Sequence, residues 1–213
     1  MSVAFKLHEF IAHATEVKCV TVGAQSHALM ASGGEDCKIN VWDVQSGKNL
    51  RTLGSNKSAI ECLCFAPSEQ CLVSGSTSGS IKVFDLNEGR YRNLGGHKTS
   101  VTCVQYHPFS DFVASGSKDT TVKVWDVRNK ECVSTYSGHN KEVTCVRFSP
   151  EGDWVASAAM DGTCPPLPTP SLRVSTSTPP LSLTNPLTNP LTNPLTNPLP
   201  YLHPSHYPPQ VPC

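Results

Sequence analysis

Three sets of residues carry the side chains of a hydrolytic site: His13, Ser32 and Asp36; His97, Ser115 and Asp119; His139, Ser157 and Asp161. A serine hydroxyl beside an imidazole, itself oriented by a carboxylate, is the arrangement of nucleophilic acyl transfer. Cysteine offers a second chemistry. Ten cysteines are present, and Cys19, Cys62, Cys103 and Cys145 each stand two residues after Val17, Ile60, Val101 and Val143. Thiolates bind metals and exchange electrons. The spacing of both groups argues otherwise. Trp42, Phe84 and Trp125 are 42 and 41 residues apart, and His97 and His139 are 42 apart, so the sets belong to a repeated unit. A catalytic set is not copied once per repeat. Cysteines in separate repeats lie too far apart to share one ion, and they read as small, reduced core side chains. Cys62 and Cys64 are neighbours along one strand, not a zinc knuckle. Gly75 to Gly79 (GSTSG) has Thr77 where a nucleophile elbow needs serine, and a strand follows it. There is no phosphate-binding GxxxxGK[ST], no HExxH and no dinucleotide fingerprint opening a helix. The chain is expected to bind rather than catalyse, with no cofactor and no metal.

The elements that must position these residues are clearest between Gly96 and Val127. Three short runs, VTCVQY, FVASGS and TVKVWDV, are alternating or β-branched and are separated by turns at Pro108 to Ser110 and Lys118-Asp119. They predict three strands joined by tight hairpins, with CVSTYS (Cys132 to Ser137) as a fourth. A unit of about 40 residues with Gly-His near its start and Trp-Asp near its end identifies the chain as a member of the WD40 repeat family, whose four-stranded units are blades of a β-propeller. The expected fold is all-β, a partial propeller of about three and a half blades. Blade 1 covers about 13–54, blade 2 about 55–95, blade 3 about 96–137, and a partial blade 4 covers 138–162. Phe5 to Ala12 reads as a strand-like run ahead of blade 1. Repeat 2 is degenerate, with Asn56, Ser78 and Phe84 where His, Asp and Trp are expected. The family resemblance implies that His13, Ser32, Asp36 and Trp42, and likewise His97, Ser115, Asp119 and Trp125, form buried hydrogen-bond chains. His139, Ser157 and Asp161 lack the Trp, and repeat 2 keeps only Ser74. The chemistry is coherent: Trp only donates, Asp only accepts, and His and Ser do both.

Composition divides the 213 residues in two. Net charge is zero, yet residues 163–213 hold a single charged side chain, Arg173, and most of the 18 prolines. Four copies of Thr-Asn-Pro-Leu occupy 184–199. Proline donates nothing to a sheet ladder, so residues 163–213 are expected to be a disordered, Pro-rich tail with neither helix nor strand. Such a segment is either a ligand for aromatic grooves or a sequence foreign to the domain. No basic leader with a long apolar run and no apolar stretch of about 20 residues is visible, so neither a signal peptide nor a membrane span is expected. Cysteines without an export signal point to the reducing cytoplasm. The neutral total gives no case for nucleic acid or membrane.

Strand alternation places the loop before each first strand and the turn between the second and third on one face. Glu16, Ala59, Ser100 and Glu142 hold the first place; Glu35, Thr77, Lys118 and Met160 hold the second. Residues 90–147 carry nine basic and five acidic side chains, which would favour an acidic partner or simply solvate the surface. The candidate partner-binding residues are Glu16, Glu35, Thr77, Lys98, Ser100, Lys118, Lys130 and Glu142.

LHEFIAHATEV, GGEDCKINVWDV, SGSTSGSIKVFDL and HPFSDFVASGSKDTTVKVWDVRNKECV resemble the N-terminal propeller of the non-catalytic WD40 subunits of katanin, over residues 5–162. Katanin severs microtubules. The resemblance implies a non-enzymatic scaffold that targets or regulates severing at centrosomes and spindle poles, with microtubules or centrosomal proteins as partners. In that family a separate helical region holds the catalytic ATPase; this sequence does not contain it, so ATPase binding is not expected of this chain. Another WD40 adaptor, such as a ubiquitin-ligase substrate receptor, and a truncated product without its own function stay open. Three and a half blades cannot close, which leaves two sheet edges and the face of the last blade exposed and predicts that residues 1–162 alone aggregate or self-associate.

Overall fold

The computed structural model describes residues 9–26, 28–54 and 56–168. Among the described residues fifteen strands build four antiparallel sheets, each a meander in which sequence neighbours pair. The first sheet holds β1 (Val17–Val22), β2 (Leu29–Gly34), β3 (Ile39–Asp43) and β4 (Asn49–Leu53). The second holds β5 (Ile60–Phe65), β6 (Cys71–Ser76), β7 (Ser80–Asp85) and β8 (Tyr91–Gly96). The third holds β9 (Val101–Tyr106), β10 (Phe112–Ser117), β11 (Thr121–Asp126) and β12 (Glu131–Ser137). The fourth holds β13 (Val143–Phe148), β14 (Trp154–Ala159) and the three-residue β15 (Pro166–Pro168). No helix among the described residues is long and apolar enough to cross a membrane.

The sheets stack face to face. β1 lies against β5, β5 against β9, and β9 against β13. The inner strands of the second and third sheets alternate so that their two faces enter different interfaces. Leu72 joins the core between the first and second sheets, while its neighbour Val73 joins the core between the second and third. In β10, Val113 faces the second sheet and Ala114 the fourth. Such strands are apolar on both faces because both are covered. Every first strand also carries one irregularity in register, between Val17 and Cys19, Ile60 and Cys62, Val101 and Cys103, and Val143 and Cys145. The bulge turns the recurring cysteine toward the next sheet. The described cysteines are free thiols. Burial pushes the Cys62 and Cys103 thiols above their ordinary pKa, and raises that of Cys19 to about 12, so these sulfurs stay neutral.

Two expectations are corrected. The first concerns the prolines after Gly162. Pro166-Leu167-Pro168 pairs with β14, with Ala156 opposite Pro166, Val155 opposite Leu167 and Trp154 opposite Pro168. The Ser157 and Ala159 amides donate to the Pro165 and Thr163 carbonyls at 3.5 and 3.3 Å, so the hydrogen-bonded pairs fall on alternate residues and Pro166 and Pro168 stand at the places between. At such places on an edge strand a missing N–H costs nothing. Leu167 meanwhile packs on the core between the third and fourth sheets. The blade therefore continues past residue 162; residues 169–213, with the Thr-Asn-Pro-Leu copies, lie outside the described residues. The second concerns the run ahead of blade 1, whose first residues also lie outside the described set. Residues 9–12 are not strand. Phe10 instead stacks on Trp42 with ring centroids 4.3 Å apart, and the Ala12 carbonyl accepts from Asn40 Nδ2 at 2.7 Å.

Candidate protein-binding surface

The polar side chains within each blade set its loop ends. In the third sheet, Trp125 Nε1–H donates to Ser115 Oγ at 2.8 Å. Ser115 Oγ meets His97 Nε2 at 2.7 Å, and His97 Nδ1 lies 3.0 Å from Asp119 Oδ2. The partners assign the protons: Ser115 O–H donates to a neutral imidazole, whose Nδ1–H donates to the carboxylate. Burial lowers the His97 pKa against the opposing pull of Asp119, which keeps the ring neutral. Burial pushes the Asp119 carboxyl up, but the Thr121 hydroxyl, the Lys98 and Thr121 amides and His97 outweigh it and hold its pKa at about 2. The Lys98 amide is 2.9 Å and the Thr121 hydroxyl 2.6 Å from that carboxylate. This is the proton order of a serine hydrolase. Ser115, however, is 0% exposed, and its oxygen already accepts from the indole. No substrate reaches it.

The first sheet repeats the chain: His13 Nδ1 to Asp36 at 2.9 Å, His13 Nε2 to Ser32 at 2.9 Å, and Trp42 to Ser32 at 3.0 Å. In the fourth, His139 reaches Asp161 at 3.2 Å and Ser157 at 2.9 Å, with no Trp behind the serine. Thr163 contacts both His139 and Asp161, and the Asp161 pKa falls chiefly through that hydroxyl. Sequence reasoning missed Thr121 and Thr163. The Asp-x-Thr spacing of Asp119 to Thr121 and Asp161 to Thr163 carried the signal. The second sheet has a hydroxyl cluster instead, with Ser78 2.9 Å from Ser58 and 3.1 Å from Ser76. Asn56 Nδ2, in the histidine's place, is buried without a partner.

These networks anchor the loops that bear the candidate binding residues. The Glu35 amide donates to the Glu16 carbonyl at 2.9 Å; the Thr77, Lys118 and Met160 amides donate to the Ala59, Ser100 and Glu142 carbonyls, each at 3.0 Å. Every described blade thus ties its leading loop to its second turn by the same bond. Each turn also holds one left-handed residue, Cys37 (φ 63°), Gly79 (84°), Thr120 (68°) or Gly162 (80°). Lys98 and Lys118 share this end of the third sheet. Lys130 does not: it sits between β11 and β12, beyond Asp126, at the opposite end. A patch of Lys98, Lys118 and Lys130 is therefore corrected to Lys98 and Lys118, joined from the fourth blade by exposed Lys141. Lys118 Nζ approaches Glu142 Oε2 at 3.9 Å, both half-exposed. The first blade's end is acidic, with Glu16, paired to Lys18 at 2.7 Å, and Glu35. Among the described residues no group of three His, Cys, Asp or Glu side chains is placed to hold a metal.

A family model described as "WD domain, G-beta repeat" matches residues 5–43, 47–85, 89–126 and 130–164. Each match ends one strand before its sheet does, so β4, β8 and β12 belong in sequence to the following unit. Among curated proteins, the katanin p80 WD40 repeat-containing subunit B1 of Danio rerio is 43% identical over 79 residues, 37% of this chain and 11% of the relative. Its homolog KTN80.3 of Arabidopsis thaliana is 41% identical over 76 residues, 36% of this chain and 9% of the relative. The small ribosomal subunit protein RACK1 of Candida albicans is 38% identical over 80 residues, 38% of this chain and 24% of the relative. The chain spans only about a tenth of the length of these katanin relatives.

Proposed function

The chain belongs to the WD40 repeat family, and from that premise we propose that it is a non-enzymatic scaffold of the katanin regulatory-subunit type, acting on microtubules or their organising centres in the cytoplasm. Its partner surface is the set of loop ends that carries Glu16, Glu35, Thr77, Ser100, Lys98, Lys118 and Glu142. The observation that carries this reading is the repeated amide-to-carbonyl bond that fixes the leading loop of every described blade against its second turn. Loops held this way meet a partner with less backbone entropy left to lose. The likeness to katanin p80 subunits supplies the class of assembly. The basic third blade end matches an acidic protein surface such as that of a microtubule.

The test is microtubule cosedimentation of the chain at low and physiological salt. Binding is expected to be weak and to fall as salt rises, because exposed charges are screened over about 8 Å at physiological ionic strength. Lys98→Glu with Lys118→Glu should abolish it. Lys130→Glu, at the far end of the sheet, should leave it intact. Undiminished binding of the double variant removes the reading. A WD40 adaptor for another assembly is the second reading, favoured by the RACK1 match of similar extent. Capture of such an assembly's scaffold, without katanin or tubulin, would select it.

A further inference from the structure

The sheets inside the chain meet through one interface used three times. On the leading side stand Ile60, Leu63, Phe65 and Leu72; Val101, Val104, Tyr106 and Val113; and Val143, Val146, Phe148 and Val155, all buried. On the receiving side a recurring cysteine and a small residue form a seat. Ile60 sits on Gly33 and Cys19, Val101 on Gly75 and Cys62, and Val143 on Gly116 and Cys103. The fit is close: a Cβ at Gly75 would lie 2.6 Å from both Val101 Cγ1 and Cys62 Sγ.

On the same leading side of the first sheet Phe10 stacks on Trp42, but among the described residues no sheet is seated over its first strand. Val17, Val20 and Val22, at the places of Ile60, Leu63 and Phe65, are 45%, 61% and 56% exposed. The fourth sheet presents the same receiving side. Cys145 stands where Cys62 and Cys103 stand, and Ala156, in the place of buried Val73 and Ala114, is exposed. Trp154 beside it is half-exposed. The two bare faces are unlike each other and like the two halves of every internal junction. Two leading sides facing each other would set valines against valines with no seat. A leading side against a receiving side repeats a contact the chain already makes.

We propose that the free faces of the first and fourth sheets are two halves of one junction, and that a second copy of this chain docks across them head to tail. Val17 of one copy takes the seat formed by Cys145 and Ala158 of the other, and Val20 covers Ala156. Ala158 departs from the glycine of the other three seats. Its methyl group occupies the space into which Ile60, Val101 and Val143 press elsewhere, so this junction is looser than the internal ones. Such a contact is heterologous, and it grows a ring or a longer stack according to the angle per copy.

The experiment is sedimentation velocity on the full 213-residue chain over a wide concentration range, with Val20→Glu and Ala156→Glu made separately. Both positions face solvent in the single chain, so both variants should melt like the parent. The parent is expected to associate, and each variant alone to be monomeric. An equimolar mixture of the two should recover a dimer with one copy of each, because one intact leading face and one intact receiving face remain. Ala158→Gly in the parent should tighten association by about fivefold or more, as expected for relieving overpacking at a buried contact. A parent that stays monomeric throughout overturns the proposal. So does loss of association from Val20→Glu alone while Ala156→Glu associates normally, which marks like faces meeting. A mixture that stays monomeric, or an Ala158→Gly chain of unchanged affinity, overturns the head-to-tail seating.

Discussion

The second and third sheets differ at three of the four residues of the buried hydrogen-bond chain and in almost nothing of their shape. Both are four-stranded meanders with the bulge at the same place and the same amide-to-carbonyl bond between loop and turn. The third has the full chain from Trp125 to Asp119. The second has Phe84, Asn56 and Ser78 at the corresponding places, and an orphaned Asn56 amide. Leu72, Val73, Ile81 and Val83 are nonetheless as buried as Val113, Ala114, Val122 and Val124. The blade is thus specified by two-faced apolar strands. The hydrogen-bond chain adds local stability to a sheet that forms, and ties its leading loop to its turn, without it.

That contrast can be broken most forcefully at Asp119. Asp119→Ala leaves the His97 Nδ1–H and the Lys98 amide without their acceptor, at a loss of about 1–3 kcal/mol in unfolding free energy by urea titration. Acid should act on the same blade next. The His97 pKa is depressed, so the unfolded chain binds the proton first and stability drops as pH falls below about 6.5. The Asp119 pKa, also depressed, gives a contribution that is complete above about 4 and drains away toward pH 2. Urea titrations should show the gap between parent and Asp119→Ala widening at mildly acidic pH, because His97 without Asp119 is depressed further, and narrowing only as pH falls from about 4 toward 2. A constant gap would separate the carboxylate's charge from its role.

The contrast can also be sharpened by repair. Asn56→His, Ser78→Asp and Phe84→Trp together rebuild the missing chain around Ser74, with an expected gain of about 1 kcal/mol if each new donor finds its acceptor. Thr120→Gly relieves a β-branched residue held at φ 68° and should raise stability by about 0.5–1 kcal/mol after glycine's own entropy. Ser78→Ala in the degenerate blade should move stability within about 0.5 kcal/mol, since its partners are other hydroxyls near water. Equal melting shifts for Ser78→Ala and Asp119→Ala would erase the difference between the blades.

Much of this was legible because it follows from alternation. Runs such as VTCVQY and FVASGS place every second side chain on a known face, and the recurring His, Ser, Asp and Trp place the loop ends. What was hidden depends on neighbours. Pro166 to Pro168 looks excluded from a sheet until the register with β14 puts both prolines between the hydrogen-bonded pairs. Lys130 looks like part of a basic patch until the direction of β11 puts it at the other end of the sheet. Phe10 reads as strand, whereas its ring is taken by the open face of Trp42. Charge and apolarity are readable along the chain; which end of a sheet they decorate depends on counting hairpins.

The offset between sequence unit and sheet has a consequence for how such an array changes length. The matched unit 47–85 contributes β4 to the sheet before it and β5 to β7 to its own. Excise that unit, and β8, which opens the next one, arrives where β4 was. β1 to β3 regain an outer strand, and the stretch from β9 onward is untouched. Duplicating the unit works in reverse, each copy completing its predecessor. Recombination at the Trp-Asp boundaries can therefore lengthen or shorten the array by whole units without leaving a sheet half made, each join being completed by the outer strand that the following unit brings.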